Sequence, residues 1–106
     1  MVLNYQTAIN VLHLIFQSPI DIAILERIDS GDDVVFLENS VLRILQNGLL
    51  RDTLTQLLTR SRLFVLSDDI EVRGITTDEL IKGIEAIDYD GLVALTVKNP
   101  VIQSWS

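Results

Sequence analysis

Val11-Leu12-His13-Leu14-Ile15-Phe16, followed by Gln17-Ser18-Pro19-Ile20-Asp21, is the stretch on which the fold turns. Six residues with one polar member are too short for a buried helix and match a strand covered on both faces, as in a parallel sheet. A helix start follows at once: Ser18 suits the cap, Pro19 the first helical position, and Asp21 the place of a capping-box acid. Ile20, Ala23, Ile24 and Ile28 then share a helical face, and Gly31 ends it.

The same alternation continues outward. Asp33 to Leu37 reads as a second buried strand, and Asn39 or Ser40 caps a helix with Val41, Leu42 and Leu45 turned inward. Asn47-Gly48 breaks it, and Leu50, Leu54, Leu57 and Leu58 resume a helical stripe. Arg62 to Leu66 is the third strand, and Asp68 to Gly74 a loop or short helical turn. Thr76 and Glu79 form a capping box that opens a short helix ended by Gly83. Ile84 to Ile87 is the fourth strand. Asp88 caps a last helix carrying Leu92, Val93, Leu95 and Val97, which Pro100 prevents from continuing. Val101 to Trp105 is a final edge strand or an irregular docking segment. This order predicts a single small α/β domain over residues 11–106, with a mainly parallel sheet of about four to five strands, helices on both faces and right-handed crossovers. Residues 1–10, MVLNYQTAIN, lie outside the pattern as an extension, an extra strand or an upstream start.

Composition narrows the function. The chain has 106 residues, no cysteine and one histidine. Disulfides, a thiolate nucleophile, persulfide carriage and cysteine-ligated zinc are therefore excluded. Fifteen acidic against eight basic residues give a net charge of −7, the wrong sign for gripping a phosphate backbone. No apolar run reaches the ~20 residues of a membrane span, no secretory signal pattern opens the chain, and the expected location is cytoplasmic. Hydrophobic residues make up 48%, so some fall outside the core of so small a domain, where apolar patches mark contact surfaces.

The first strand-to-helix turn lacks glycine, which excludes the nucleotide-binding loops of this fold class. His13, alone between leucines, reads as a satisfied, partly buried side chain, since one histidine does not make a metal site. Asp32-Asp33, Asp68-Asp69 with Glu71, and Asp88 with Asp90 sit at element boundaries and read as caps and turn formers. Arg73 follows a strand and so lies at the carboxyl edge of the sheet, where such domains place their sites; a salt bridge to Asp69 is its structural alternative. Catalysis by Asp69, Arg73 and His13 together requires a convergence that residue order does not provide. No catalytic residue, cofactor or metal ligand is assigned. The candidate partner interface comprises Asp69, Arg73, Lys98, Val101, Ile102 and Trp105; Trp105 either anchors a partner or folds back on its own domain.

Several of these residues, in order, resemble the TusB/DsrH family. They are Leu12-His13 with Ser18-Pro19; Gly31-Asp32 leading into a strand and Glu38-Asn39; Leu66, Asp69 and Arg73-Gly74; and Ile87-Asp88-Tyr89, Val93, Leu95-Thr96-Val97-Lys98, Pro100 and Trp105. Asn39-Ser40 stands where the family usually has Asp-Gly, Val72 where Ala is usual, and Asn99 where His is frequent. The resemblance implies a DsrE/F/H-like fold and a sulfur-relay subunit. It implies a heterohexamer with paralogous TusC- and TusD-like subunits, in which the TusD cysteine carries persulfide towards 2-thiolation of the wobble uridine of transfer RNA. Contact with transfer RNA is then indirect. Related DsrH complexes serve dissimilatory sulfur oxidation, and some DsrH members carry a cysteine in the first helix, which this chain lacks. A stand-alone homo-oligomeric module, binding an anion at helix N-termini near Ser18 and Asn39, is the alternative.

Overall fold

A computed structural model describes residues 9–106; the segment Met1 to Ala8, most of the expected N-terminal extension, lies outside the described residues. Five strands form one sheet: β1 (Val11–Ile15), β2 (Asp33–Phe36), β3 (Arg62–Leu66), β4 (Glu85–Ile87) and β5 (Val101–Trp105). Their order is β4-β3-β2-β1-β5, and every pairing is parallel. The apolar runs occupy the middle: β2 is buried at all four positions and β3 at four of five. β5 is an edge strand, which resolves the two readings of the tail.

The connections divide between the faces. Ile15, Val34, Phe36, Leu63 and Val65 form one core with residues of α1 (Ile22–Glu26), α2 (Arg51–Leu57) and α3 (Ser67–Glu71). Leu12, Val35, Phe64 and Leu66 form a second core on the opposite face, closed by Leu95 and Leu92 of α4 (Tyr89–Lys98). β1 to β4 step in one direction with their connections on one face, and α4 returns across the other face to β5. One crossover hand produces that arrangement. A single helix therefore covers the second face of five strands. Its Asp88 cap accepts the Gly91 N–H at 2.9 Å, as expected. Of its apolar residues only Leu95 is buried, while Val93 and Val97 turn outward with Tyr89.

Two helix starts differ from expectation. Ser18 does not cap α1. Gln17 Oε1 accepts the Asp21 N–H at 2.7 Å and extends the turn, so Asp21 becomes the cap and accepts from Ala23 N at 2.9 Å. Ala23 is then exposed, and Ile24 and Leu25 face the core. After β2 the chain forms a 3₁₀ helix, Glu38–Arg43, whose N-cap is Leu37. Its three-residue repeat brings Val41 and Ile44 inward and leaves Leu42 exposed. Ser40 is internal to this turn, its hydroxyl shared between the carbonyls of Ile15 at 2.7 Å and Leu37 at 2.8 Å. The Thr76 capping box is present, opening a 3₁₀ turn, Thr77–Glu79. Gly83 has φ +105°, and a Cβ there would lie 2.9 Å from Leu58 Cδ1, so glycine is required before β4.

Candidate functional site

The carboxyl ends of the strands hold one clasp. Glu38, directly after β2, has φ 53°, a left-handed conformation unusual for a residue with a Cβ. Its N–H donates to Asp69 Oδ2 at 2.6 Å. Arg73, from the end of α3, donates to the Asp69 carbonyl and to Asn39 Oδ1, both at 2.8 Å. The expected Asp69–Arg73 carboxylate pair is thus replaced: the Asp69 carboxylate is taken by a backbone donor across the β2–β3 gap. Asn39 reaches Arg73 instead of capping a helix, and Ser18 accepts from Arg43 Nε at 2.8 Å. Ser18 and Asn39 thus hydrogen-bond to the chain's own arginines rather than capping helices, and α1 begins with an acidic cap.

In an open α/β sheet the crevice lies where the strand order reverses, here between β1 and β5 rather than at Arg73. Gln17 at the end of β1 donates to the Ser106 carbonyl at 3.2 Å there, and Phe16 N–H donates to Trp105 O at 2.9 Å.

A second constellation lies at the amino end of the sheet. His13 and Asp32 are 4% and 2% exposed, and their side chains meet Nε2 to Oδ2 at 2.9 Å. Asp32 Oδ1 also accepts the Val11 N–H, and Oδ2 the Asp29 N–H, each at 2.9 Å. Burial pushes this carboxyl up, but the Val11 N–H, the His13 ring and the Asp29 N–H together outweigh it and hold the group below the usual carboxylate range. On the other side of the ring, Trp105 Nε1 lies 3.1 Å from His13 Nδ1. Trp105 therefore folds back on its own domain, with Arg27 5.8 Å from its ring centre.

The remaining interface candidates lie nearby in sequence but separate in role. Lys98 and buried Asn99 both donate to Asp33 Oδ2 at 3.0 Å, fastening α4 to the start of β2. Asn99 thus has a structural task where His is frequent in the family. Val101 and Ile102 are 43% and 46% exposed on the sheet edge. Asp69 and Arg73 stand after β3 and His13 beside the residue before β2, at opposite ends of the sheet, so the triad considered for catalysis does not converge. Among the described residues no group of three or more His, Asp or Glu side chains is arranged to hold a metal ion, and no helix is long and apolar enough to cross a membrane. Sequence reasoning missed Asp32 and Gln17. A buried histidine requires a partner, but Asp32 is identifiable as that partner only once β2 is known to lie beside β1.

The family model described as DsrH like protein matches residues 16–101. The chain belongs to the TusB/DsrH family. Protein TusB of Pectobacterium parmentieri is 33% identical over 99 residues, covering 90% of this chain and all of that protein. Protein TusB of Buchnera aphidicola subsp. Baizongia pistaciae is 31% identical over the same length and coverage. Among solved structures, a protein of unknown function from Methanobacterium thermoautotrophicum superposes with a TM-score of 0.78 at 13% identity, covering 92% of this chain and all of that one. The ychN protein of E. coli gives 0.74 at 16% identity, covering 91% and 98%. At such identities the likeness establishes the fold alone. The TusB/DsrH match brackets the clasp, with Glu38, Asp69 and Arg73 inside it, while His13 and Trp105 flank it.

Proposed function

We propose that this chain is a sulfur-relay subunit that supports 2-thiolation of the transfer-RNA wobble uridine. In this reading it shapes a site whose sulfur-carrying cysteine belongs to another subunit. The observation that carries the proposal is the combination of TusB/DsrH membership with a sequence containing no cysteine. A relay that passes sulfur from thiol to thiol cannot route it through this chain. The cysteine-free α1, IAILE, favours the transfer-RNA branch over dissimilatory sulfur oxidation.

Its partners in this reading are TusC- and TusD-like paralogues in a cytoplasmic heterohexamer, with transfer RNA met only downstream. Two features support an assembled state. The second sheet face carries one helix with Tyr89, Val93 and Val97 outward, and the adjoining edge presents Val101 and Ile102. Lys98, Val101, Ile102 and the exposed side of Trp105 are the contact candidates at that end, and Asp69 and Arg73 at the other. Tagged chain co-expressed with TusC- and TusD-like proteins is expected to co-purify as one complex by size-exclusion chromatography with light scattering. The isolated chain is expected to retain no label from a persulfide donor. A chain that stays monomeric beside both paralogues, or that holds labelled sulfur, refutes the reading.

A further inference from the structure

His13 is the only histidine and Trp105 the only tryptophan of the chain, and the two are hydrogen-bonded at 3.1 Å. The chemistry of the pair fixes its protons. An indole nitrogen is a donor only, so His13 Nδ1 accepts and carries no hydrogen. The ring proton is then on Nε2 and donates to Asp32 Oδ2 at 2.9 Å. A neutral imidazole has one donor and one acceptor, and both are used here in a site that is 4% exposed.

A second proton goes on Nδ1, the only nitrogen left to take it. An N–H then points at the indole N–H, two donors at hydrogen-bond distance, and the bond to Trp105 is lost. The bond to Asp32 becomes an ion pair and strengthens. The two outcomes have one direction: the charged ring stays with Asp32 and the indole leaves. The charged groups around the ring are Asp32, preceding β2, and Arg27, following α1, whose guanidinium lies over the indole 5.8 Å from its centre. The facing residues of the adjacent strands, Val34 and Gln103, are neutral. Trp105 is the last residue of β5, whose first four residues are all exposed, so this indole is the strand's main side-chain hold on the domain.

We propose that His13 is a proton-sensitive latch for the C-terminal strand, holding Trp105 against the domain when neutral and releasing it when protonated. The proposal concerns the chain's own strand and stands independently of the sulfur-relay reading. If β5 also forms a subunit contact, that contact inherits the same sensitivity.

The full-length chain tests this without an added fluorophore, because Trp105 is its only tryptophan. Acrylamide quenching of Trp105 emission is followed from about pH 8 to about pH 5, the range in which imidazoles titrate, beside far-ultraviolet circular dichroism. Long-range proton–nitrogen NMR of His13 in the same samples reports its tautomer and protonation. The expected result is the Nε2–H tautomer at high pH. Protonation is then accompanied by a severalfold rise in the quenching constant, along one single-proton curve with unchanged circular dichroism. His13→Gln, which cannot titrate, is expected to give a flat profile. An Nδ1–H tautomer, a flat wild-type profile, a rise that does not track His13 protonation, or loss of circular dichroism together with the rise overturns the latch. The wild-type measurements decide the matter even if the variant does not fold.

Discussion

Replacing Asp32 with alanine tests how β1 and β2 are joined at their amino ends. The carboxylate accepts three hydrogen bonds of 2.9 Å, from Val11 N, Asp29 N and His13 Nε2, at a residue only 2% exposed. Each orphaned buried donor costs about 1–3 kcal/mol. The two backbone donors are partly buried and recover some hydration, so the sum is set near the low end, about 3–4 kcal/mol. Against a domain stability of roughly 5–15 kcal/mol the variant still folds. With a urea slope of about 1.5–2 kcal/mol/M, its midpoint falls by about 2 M, read by circular dichroism. The effect also has a pH signature. The folded carboxyl is held below its ordinary value, so the unfolded chain binds its proton first as pH falls. The stabilisation from this charge is complete above the unfolded value of about 3.9 and is lost as pH drops through the folded one. The gap between wild type and Asp32→Asn therefore narrows as pH falls below about 4. A midpoint shift below about 0.5 M for Asp32→Ala, or a gap that widens as pH falls below about 4, refutes this account.

Two further substitutions probe the turn after β2. Ser40→Ala removes the hydroxyl held between the Ile15 and Leu37 carbonyls, and a loss of about 1–2 kcal/mol is expected in urea unfolding; an unchanged midpoint shows that the backbone donors these carbonyls already hold, Leu37 N and Ser40 N, suffice. Glu38→Gly relieves the left-handed backbone at φ 53°, a strain of about 1–2 kcal/mol, offset by about 0.5–1 kcal/mol of glycine entropy. A rise of roughly 3 °C in melting temperature follows, and a fall contradicts the strain assignment.

The strands were legible in the sequence because a buried strand of a parallel sheet leaves its mark locally, as a short run of Val, Leu, Ile and Phe. VLHLIF, DVVFL and RLFVL all emerged as strands within a residue of the reading. Asp88 and Thr76 were legible for a similar reason, since a cap binds backbone two or three residues away. Ser18 and Ser40 were misread because a cap is decided by where the helix begins. Gln17 moved that start for α1, and the Ile15 and Leu37 carbonyls drew Ser40 inward.

What the sequence determined by itself was the alternation of strand and helix, the absence of any thiol, and the family. What the tertiary structure decided was which residues separated in the chain become neighbours. Asp32 serves His13 because β2 lies beside β1. Trp105 serves it because β5 lies on β1's other side. Asp69 serves Glu38 because β3 lies beside β2. Val93 and Val97 face outward because a single helix, spanning the second face from β4 to β5, turns only one stripe to the sheet. Each of these follows from strand order, which non-local packing selects, whereas the local pattern records only that a strand is buried and not which strand buries it.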